Sequence, residues 1–169
     1  MRPPRTLFVI GAGASSEAGL PIGRGLAEIV ASRLDFRFKG KSWDTKVGDP
    51  DIIDALQSIT HTWEDIEPYV QAAKRIKEGV ILSNSIDSFI DVHKGNEKIQ
   101  LCEKLAIAKS ILEAERQSKL YINKESSDFA DVVGLKQTWF FDFFQNLNDG
   151  VRQAEIKRIF DKVSFVVFN

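Results

Sequence analysis

A glycine-rich segment near the start of the chain has the residue types and spacing that bind phosphate groups. Gly11-Ala12-Gly13-Ala14-Ser15-Ser16 follows a short apolar run and leads toward a helix. Gly11 would allow a tight turn, Gly13 would let the backbone approach a pyrophosphate, and the amino end of the next helix would offer free N–H groups. The pattern predicts an anion-binding loop; the alternative is a glycine-rich turn without a ligand.

The segment departs from the usual dinucleotide-binding fingerprint at two points. Ser16 occupies the position of the third glycine in the Gly-x-Gly-x-x-Gly pattern. The fingerprint also expects a second strand that ends in an acidic residue about 20 residues later. Asp35 has that spacing, but the surrounding residues 34–38 are more typical of a loop with a loosely extended stretch. An ordinary NAD(P)H dehydrogenase is therefore disfavoured.

The same region resembles the first signature of the sirtuins, which is a Gly-Ala-Gly-x-Ser loop followed by Gly-(Ile/Leu)-Pro and then Arg. The matching residues are Gly11-Ala12-Gly13-Ala14-Ser15, Gly19-Leu20-Pro21 and Arg24. Ile22-Gly23 stands where the deacetylating sirtuins carry Asp-Phe.

The resemblance implies NAD as the cofactor. Residues 12–15 would contact the NAD phosphates, and Arg24 would help to hold the pyrophosphate or the nicotinamide ribose. For Arg24, the alternative is an exposed residue of the first helical turn. The NAD-binding residues that the resemblance predicts are Gly11, Ala12, Gly13, Ala14, Ser15, Pro21 and Arg24.

A second match to the sirtuins lies at the other end of the chain. The sirtuin fold places an Asn, followed two residues later by Asp, at the end of a strand, and SIR2-like proteins of bacterial defence systems often carry Phe-Asn-x-Asp there. Phe168-Asn169 ends a strand-like run in this sequence. By resemblance, Asn169 is the catalytic residue that orients the nicotinamide ribose and the attacking water. The aspartate and a catalytic histidine would follow residue 169, so we expect the chain to be a fragment that is inactive alone.

Other residues that could do chemistry have simpler explanations. His61 and His93 are more typical of loop or helix-end histidines than of a catalytic base. Asp87 and Asp91 lie four residues apart, as a carboxylate pair or a metal site would require, but two solvated side chains explain them equally well. No metal site is predicted. An aromatic stripe could stack nucleic-acid bases, but a buried helix face is favoured because no basic cluster accompanies it. The stripe comprises Phe140, Phe143, Phe144 and Leu147.

Charge and cysteine content limit the partners and the kinds of site that the sequence predicts. The 23 basic and 24 acidic residues are interspersed and give a net charge of −1, so neither nucleic acid nor a membrane surface is predicted as a partner. Cys102 is the only cysteine, which excludes an internal disulfide and a Cys-x-x-Cys zinc site within the chain. A reducing, cytoplasmic compartment fits this content.

Two apolar runs and a long helical region must position these residues. Thr6–Ile10 reads as a strand buried on both faces of a parallel sheet, and Val163–Phe168 as its adjacent, parallel partner. A helix carrying Leu26 to Leu34 follows the glycines. Residues 118–134 read as a loop. Further helices are predicted at about 51–59, 64–77, 83–91, 97–117, 138–148 and 151–162. On the 97–117 helix a solvated face is predicted, formed by Lys98, Glu103, Lys104, Lys109 and Glu113.

This order of elements predicts an α/β fold with a Rossmann-like, SIR2-type parallel sheet that is incomplete in this chain. The predicted domain covers residues 1–169, with Rossmann elements at about 1–34 and 151–169 and a helical insertion at about 35–150. The region between the two motifs is longer than in the deacetylases, which favours a resemblance to the SIR2-like NAD hydrolases. Residues 85–89, 108–113 and 138–140 resemble the same group.

The resemblance implies that the intact protein hydrolyses NAD to nicotinamide and ADP-ribose, with anti-phage defence as the suggested setting. NAD would then be the small-molecule substrate, and the intact protein would be a homo-oligomer or carry an additional domain. Two alternatives stay open: a module that senses NAD or ADP-ribose without turnover, and an NAD-dependent protein deacylase.

Overall fold

A computed structural model describes residues 5–38, 45–122 and 132–168 and has a mixed α/β architecture. The chain divides into two compact units, which we call the sheet unit (Met1–Ile22 with Ala114–Asn169) and the helical unit (Gly23–Glu113). None of the helices in the described ranges has the length and apolar character needed to cross a membrane. In chain order the elements are β1 (Thr6–Gly11), α1 (Ala12–Glu17), α2 (Gly23–Arg33), β2 (Arg37–Phe38), β3 (Thr45–Val47), α3 (Pro50–Gln57), α4 (Trp63–Gly79), a 3₁₀ helix (Val80–Leu82), α5 (Ile86–Val92), α6 (Glu97–Gln117), α7 (Val132–Leu135), α8 (Trp139–Asn148), a second 3₁₀ helix (Gln153–Arg158) and β4 (Val163–Phe168).

The sheet unit contains a two-stranded parallel sheet. β1 and β4 pair in register from Thr6 opposite Val163 to Gly11 opposite Phe168. This pairing confirms the prediction that the two apolar runs lie side by side and parallel. Side chains of paired residues in a parallel sheet point to the same face, so the sheet has one face that carries Phe8 and Phe165.

Helix α8 covers the face of the sheet that carries Phe8 and Phe165. The ring of Phe143 meets Phe8 edge-on at 4.7 Å between centroids and Phe165 at 5.6 Å, and Phe143 itself is buried. Edge-to-face contacts of this kind add to the burial of apolar area. Phe143 therefore anchors α8 to both strands.

The prediction that Thr6–Ile10 is buried on both faces is wrong for the described residues. Leu7 and Val9, which point away from α8, are 60% and 66% exposed. The physical reason is that α8, which packs on the sheet within this unit, covers only the opposite face. A continuous apolar run identifies a strand, but it does not show that a second layer is present.

The helical unit is organised around one apolar core. Gly79 shows how tightly it is packed: a Cβ atom at this position would lie 2.5 Å from Cε2 of Phe89, so the ring of Phe89 requires a glycine there. Fully buried side chains of α2, α3, α4 and α6, together with Leu34 directly after α2, form most of this core; those of the helices include Val30, Leu56, Ile66, Ile76, Ile99 and Cys102.

Side-chain caps begin three helices of this unit, close to where the sequence predicts them. Asp49 accepts a hydrogen bond from the Asp51 amide at 3.0 Å and precedes α3. Thr62 and Asp65 form a reciprocal capping box at the start of α4, and Ser85 caps α5. Each cap satisfies a backbone N–H group that the helix leaves free, which typically stabilises a helix by about 1 kcal/mol.

Three local predictions need correction. Residues 151–162 do not form an α-helix: the segment contains the 3₁₀ helix Gln153–Arg158, none of whose residues is buried, so no packed face supports a longer helix. The predicted loop 118–134 contains α7 at Val132–Leu135, while residues 123–131 lie outside the described ranges. The extended stretch near Asp35 is β2, which pairs antiparallel with β3, a strand that the sequence did not predict.

Candidate functional site

The glycine segment is a direct junction between a strand and a helix. β1 ends at Gly11, and α1 begins at the next residue, Ala12. The sequence predicted a loop followed by a helix, so the loop is wrong: residues 12–16 are themselves helical. Gly11 is the N-cap, with φ −100° and ψ 176°, and this extended conformation lets the chain pass from strand to helix in one residue. Within α1, the Ser16 hydroxyl donates to the Gly13 carbonyl at 2.7 Å.

Neither Gly11 nor Gly13 is required by the backbone. Gly11 has a φ that any residue adopts, and Gly13 lies in the helix without a positive φ. Gly11 was expected to allow a tight turn; it is instead the extended N-cap of α1. A Cβ atom at either position would meet no atom within 4 Å. The two missing side chains therefore leave open space over the backbone of an exposed junction.

Gly19 does need to be glycine. Its φ of +100° closes α1, and its amide donates to the Ser16 carbonyl at 3.0 Å. The Leu20 amide donates to the Ser15 carbonyl at 3.2 Å, and the carbonyl of buried Ala18 accepts from the Lys119 amide at 3.0 Å. The Gly19-Leu20-Pro21 part of the predicted motif therefore ends the short helix in a defined turn.

Helix α8 holds α1 through two residues that the sequence did not identify as functional. The Trp139 amide donates to Oε2 of Glu17 at 2.7 Å, and the Trp139 indole Nε1–H donates to the Ala14 carbonyl at 3.2 Å. These partners are 122 and 125 residues apart in sequence. The aromatic stripe is only partly a buried face, because Phe143 is buried while Phe140 and Phe144 are exposed.

The remaining predicted NAD-binding residues, Pro21 and Arg24, lie on either side of the start of α2. Pro21 is half-buried and belongs to the sheet unit. Arg24 belongs to the helical unit, where its side chain is 81% exposed and its Nε lies 3.3 Å from Oε1 of Glu28. An exposed first-turn residue was the alternative for Arg24; a contact with NAD stays a prediction.

Asn169 lies outside the described residues. The residue before it, Phe168, is the last of β4 and pairs with Gly11. The carboxyl end of β4 and the glycine junction are therefore neighbours in the sheet unit. Among the predicted residues, the structure thus brings Gly11–Ser15 together with the end of the strand that leads to Asn169.

The minor candidates take part in local contacts. The backbone amide of His61 lies 3.4 Å from Oδ2 of Asp65, and Nδ1 of His93 lies 2.8 Å from the Phe89 carbonyl. Asp91 pairs with Lys94 at 2.7 Å on the helix surface. The described residues contain no cluster of three His, Cys, Asp or Glu side chains that could hold a metal ion.

Two side chains that were predicted to be solvated belong to an ionic cluster of the helical unit. Arg33 on α2 binds Asp49 and Glu113, and its Nε donates to the Ser110 hydroxyl at 3.0 Å. Lys109 binds Glu113 at 2.9 Å and also Asp51. Hydrogen bonds from Arg33 and Lys109 lower the pKa of Glu113 to about 2. The cluster ties α2 and α6 to the start of α3, so these residues have a structural role.

Glu103 is the clearest exception to the solvated face predicted for the 97–117 helix. It is only 1% exposed, and neither of its carboxylate oxygens has a hydrogen-bond partner. Desolvation by burial raises the pKa of Glu103 to about 7, against the opposing charge of His93. Burial likewise raises the pKa of the neighbouring Cys102 thiol to about 12, so this thiol is not a reactive nucleophile at neutral pH.

Comparison with known proteins adds no relative. No protein-family model, curated protein or solved structure matches the chain.

Proposed function

We propose that the chain is part of a SIR2-like domain with a Rossmann-like sheet, and that Gly11–Ser15 binds the phosphates of NAD. The observation that carries the proposal is the open space over Gly11 and Gly13, beside the carboxyl ends of two paired parallel strands. Ligands of open α/β sheets bind outside the carboxyl ends of the strands. The resemblance to the sirtuin signature selects NAD among phosphate-bearing ligands.

The physical basis of binding is close approach to the backbone. α1 has only six residues and no acidic residue in its first turn, so a phosphate beside it would meet amide groups and no carboxylate of that turn. A helix this short contributes a small dipole, so direct hydrogen bonds from exposed backbone N–H groups supply the main attraction. A side chain at position 11 or 13 would hold the phosphate away from those groups.

The proposed reaction is hydrolysis of the bond between nicotinamide and ribose. Water adds to the ribose carbon as nicotinamide leaves, and the products are ADP-ribose, nicotinamide and a proton. The glycine segment anchors the phosphates so that the ribose is presented in one orientation. By resemblance, Asn169 orients the ribose and the water.

The experiment is calorimetric titration of NAD into the chain and its Gly13→Val variant. Because Gly13 is helical and a Cβ atom meets open space, the variant should fold; circular dichroism checks this. We expect Gly13→Val to weaken NAD binding at least about tenfold, since it blocks close approach of the phosphate. Gly25→Val is the matched control, because Gly25 also lies in a helix with open space around its Cβ position.

The result also decides between the alternatives. Equal affinity of folded Gly13→Val and the wild-type chain would show that the glycines form a structural junction only. Arg24→Ala should weaken NAD binding without changing the fold, because its one ion pair is exposed. Because we expect the chain to be inactive alone, release of nicotinamide by the intact protein, measured by chromatography, separates hydrolysis from binding without turnover.

A further inference from the structure

α1 is too short to hold its own position. Isolated helices of six residues are unstable in water, because few hydrogen bonds offset the cost of ordering the first turn. Contacts outside α1 must therefore fix where its backbone lies. Its amino end is fixed covalently to β1 at Gly11, and its carboxyl end by the turn at Gly19.

Between these two ends, Trp139 makes two hydrogen bonds to α1 and is the donor in both. Its indole N–H donates to the Ala14 carbonyl, and its backbone N–H is accepted by the Glu17 carboxylate. Ala14 and Glu17 are three residues apart and so lie on one face of the helix. Trp139 therefore contacts both turns of α1 at once.

The bond to Glu17 replaces a local cap of α8. Thr138 is the N-cap residue of α8, but its hydroxyl donates to the Leu135 carbonyl at 2.7 Å and does not cap the helix. Glu17 supplies the missing acceptor from another part of the chain. α8 is in turn fixed to the sheet by Phe143, so α1, α8 and the sheet form a closed set of contacts.

We infer that Trp139 and Glu17 are positioning residues for the NAD site, which hold the glycine segment in the place where the phosphates are bound. This inference rests on the proposed function. Trp139 acts through α1, because displacement of the glycine segment weakens the hydrogen bonds that it makes to the phosphates. The hydrogen bond from the Trp139 indole to Ala14 also makes the indole a reporter of the position of α1, because movement of α1 changes the environment of Nε1.

The test uses variants that remove single hydrogen bonds. Trp139→Phe removes the indole N–H but keeps a ring beside Phe143, and Glu17→Ala removes the acceptor, while Glu17→Gln keeps an oxygen that can accept from the Trp139 amide. We expect Trp139→Phe and Glu17→Ala each to weaken NAD binding by roughly fivefold, the scale of one hydrogen bond, and Glu17→Gln to bind nearly as the wild type does. Trp63→Phe, in the helical unit, is the control and should leave NAD affinity unchanged.

Two readouts separate a positioning role from simple stability. Hydrogen exchange of residues 12–17 without NAD should become faster in Trp139→Phe. In a Trp43→Phe/Trp63→Phe background, which leaves Trp139 as the only one of three tryptophans, NAD should change the emission of the indole. Unchanged exchange in α1 would overturn the inference, and so would full NAD affinity in the folded Trp139→Phe and Glu17→Ala variants.

Failure of the proposed function would give a different result from failure of the positioning role alone. If the wild-type chain binds no NAD, the proposed function fails, and the positioning role for NAD fails with it. Exchange in Trp139→Phe would then still show whether Trp139 holds α1.

Discussion

Gly11 and Phe168 are the last paired residues of the parallel sheet, so the strand that ends in the glycine junction and the strand that leads to Asn169 finish side by side. The two sirtuin-like motifs are separated by most of the chain in sequence. The strand register nevertheless brings the described parts of both to one edge of the sheet. This juxtaposition is what an NAD site at the carboxyl ends of the strands requires.

Substitution by alanine should have different effects at Gly11 and at Gly19, which lie in the two parts of the sirtuin-like signature. Gly11→Ala should leave the free energy of unfolding unchanged within about 0.5 kcal/mol, because its φ of −100° suits any residue and its surroundings are open. Gly19→Ala should destabilise the chain by about 1–3 kcal/mol, because its φ is +100°. Denaturant unfolding followed by circular dichroism measures both. Equal effects at the two positions would contradict the assignment of Gly19 as the conformationally required glycine.

For the folded fraction of each variant, we expect the opposite order in NAD affinity: Gly11→Ala should weaken NAD binding more than Gly19→Ala does. Gly11→Ala places a methyl group over the junction and should weaken NAD binding. Gly19→Ala should affect binding only through the position of α1. Titrations of NAD into each variant, under conditions in which that variant is folded, compare the two affinities.

Local patterns explain why much of the fold could be predicted. The apolar run 163–168 is β4, and residues 97–117 form α6, as the apolar run and the helical spacing of apolar residues predict. The spacing did not identify the buried face of α6, which carries Ile99, Cys102 and Glu103. The strand pairing followed from the two runs and the rule for parallel crossovers. The predicted starts of the helices at about 51 and 83 lie near Asp49 and Ser85, the residues that cap α3 and α5.

Contacts between distant residues explain what could not be predicted. Glu17 and Trp139 are 122 residues apart, and neither residue has a local feature that indicates the other. Glu103 carries a charged group, so a pattern based on residue type places it in solvent, although the helix buries it. Gly11 was assigned a turn because glycine permits one, while the structure uses an extended cap.

Phe143 should be the most important side chain for the stability of the sheet unit. Phe143→Ala removes the ring that contacts both Phe8 and Phe165 and should cost about 3–5 kcal/mol. Phe144→Ala is the matched control: this neighbour is 48% exposed and should cost clearly less. Thermal unfolding of the two variants measures the difference. A similar loss in both would show that α8 is not anchored through Phe143.

Arg33 should stabilise the helical unit through its buried partner. Arg33→Leu leaves Asp49, which is only 7% exposed, without its guanidinium partner and should destabilise the unit by roughly 3 kcal/mol. Arg24→Leu removes an exposed pair and should change stability by less than about 1 kcal/mol. Urea unfolding at neutral pH compares the two variants, and a larger effect of Arg24→Leu would contradict this ranking.

Glu103 should make the helical unit less stable as the pH rises. Burial raises the pKa of Glu103 from 4.5 to about 7, so between these values the folded state holds a proton that the unfolded state releases. The stability that this proton contributes is complete below about pH 4.5 and is lost as the pH rises through about 7, by up to roughly 3 kcal/mol. Glu103→Gln stays neutral, so we expect it to be more stable than the wild-type chain at pH 8 and to differ less at pH 5, as measured by urea unfolding at both values. Glu115→Gln, on the exposed side of the same helix, should follow the wild-type curve. A difference between Glu103→Gln and wild type that does not grow from pH 5 to pH 8 would show that the buried carboxyl does not titrate in this range.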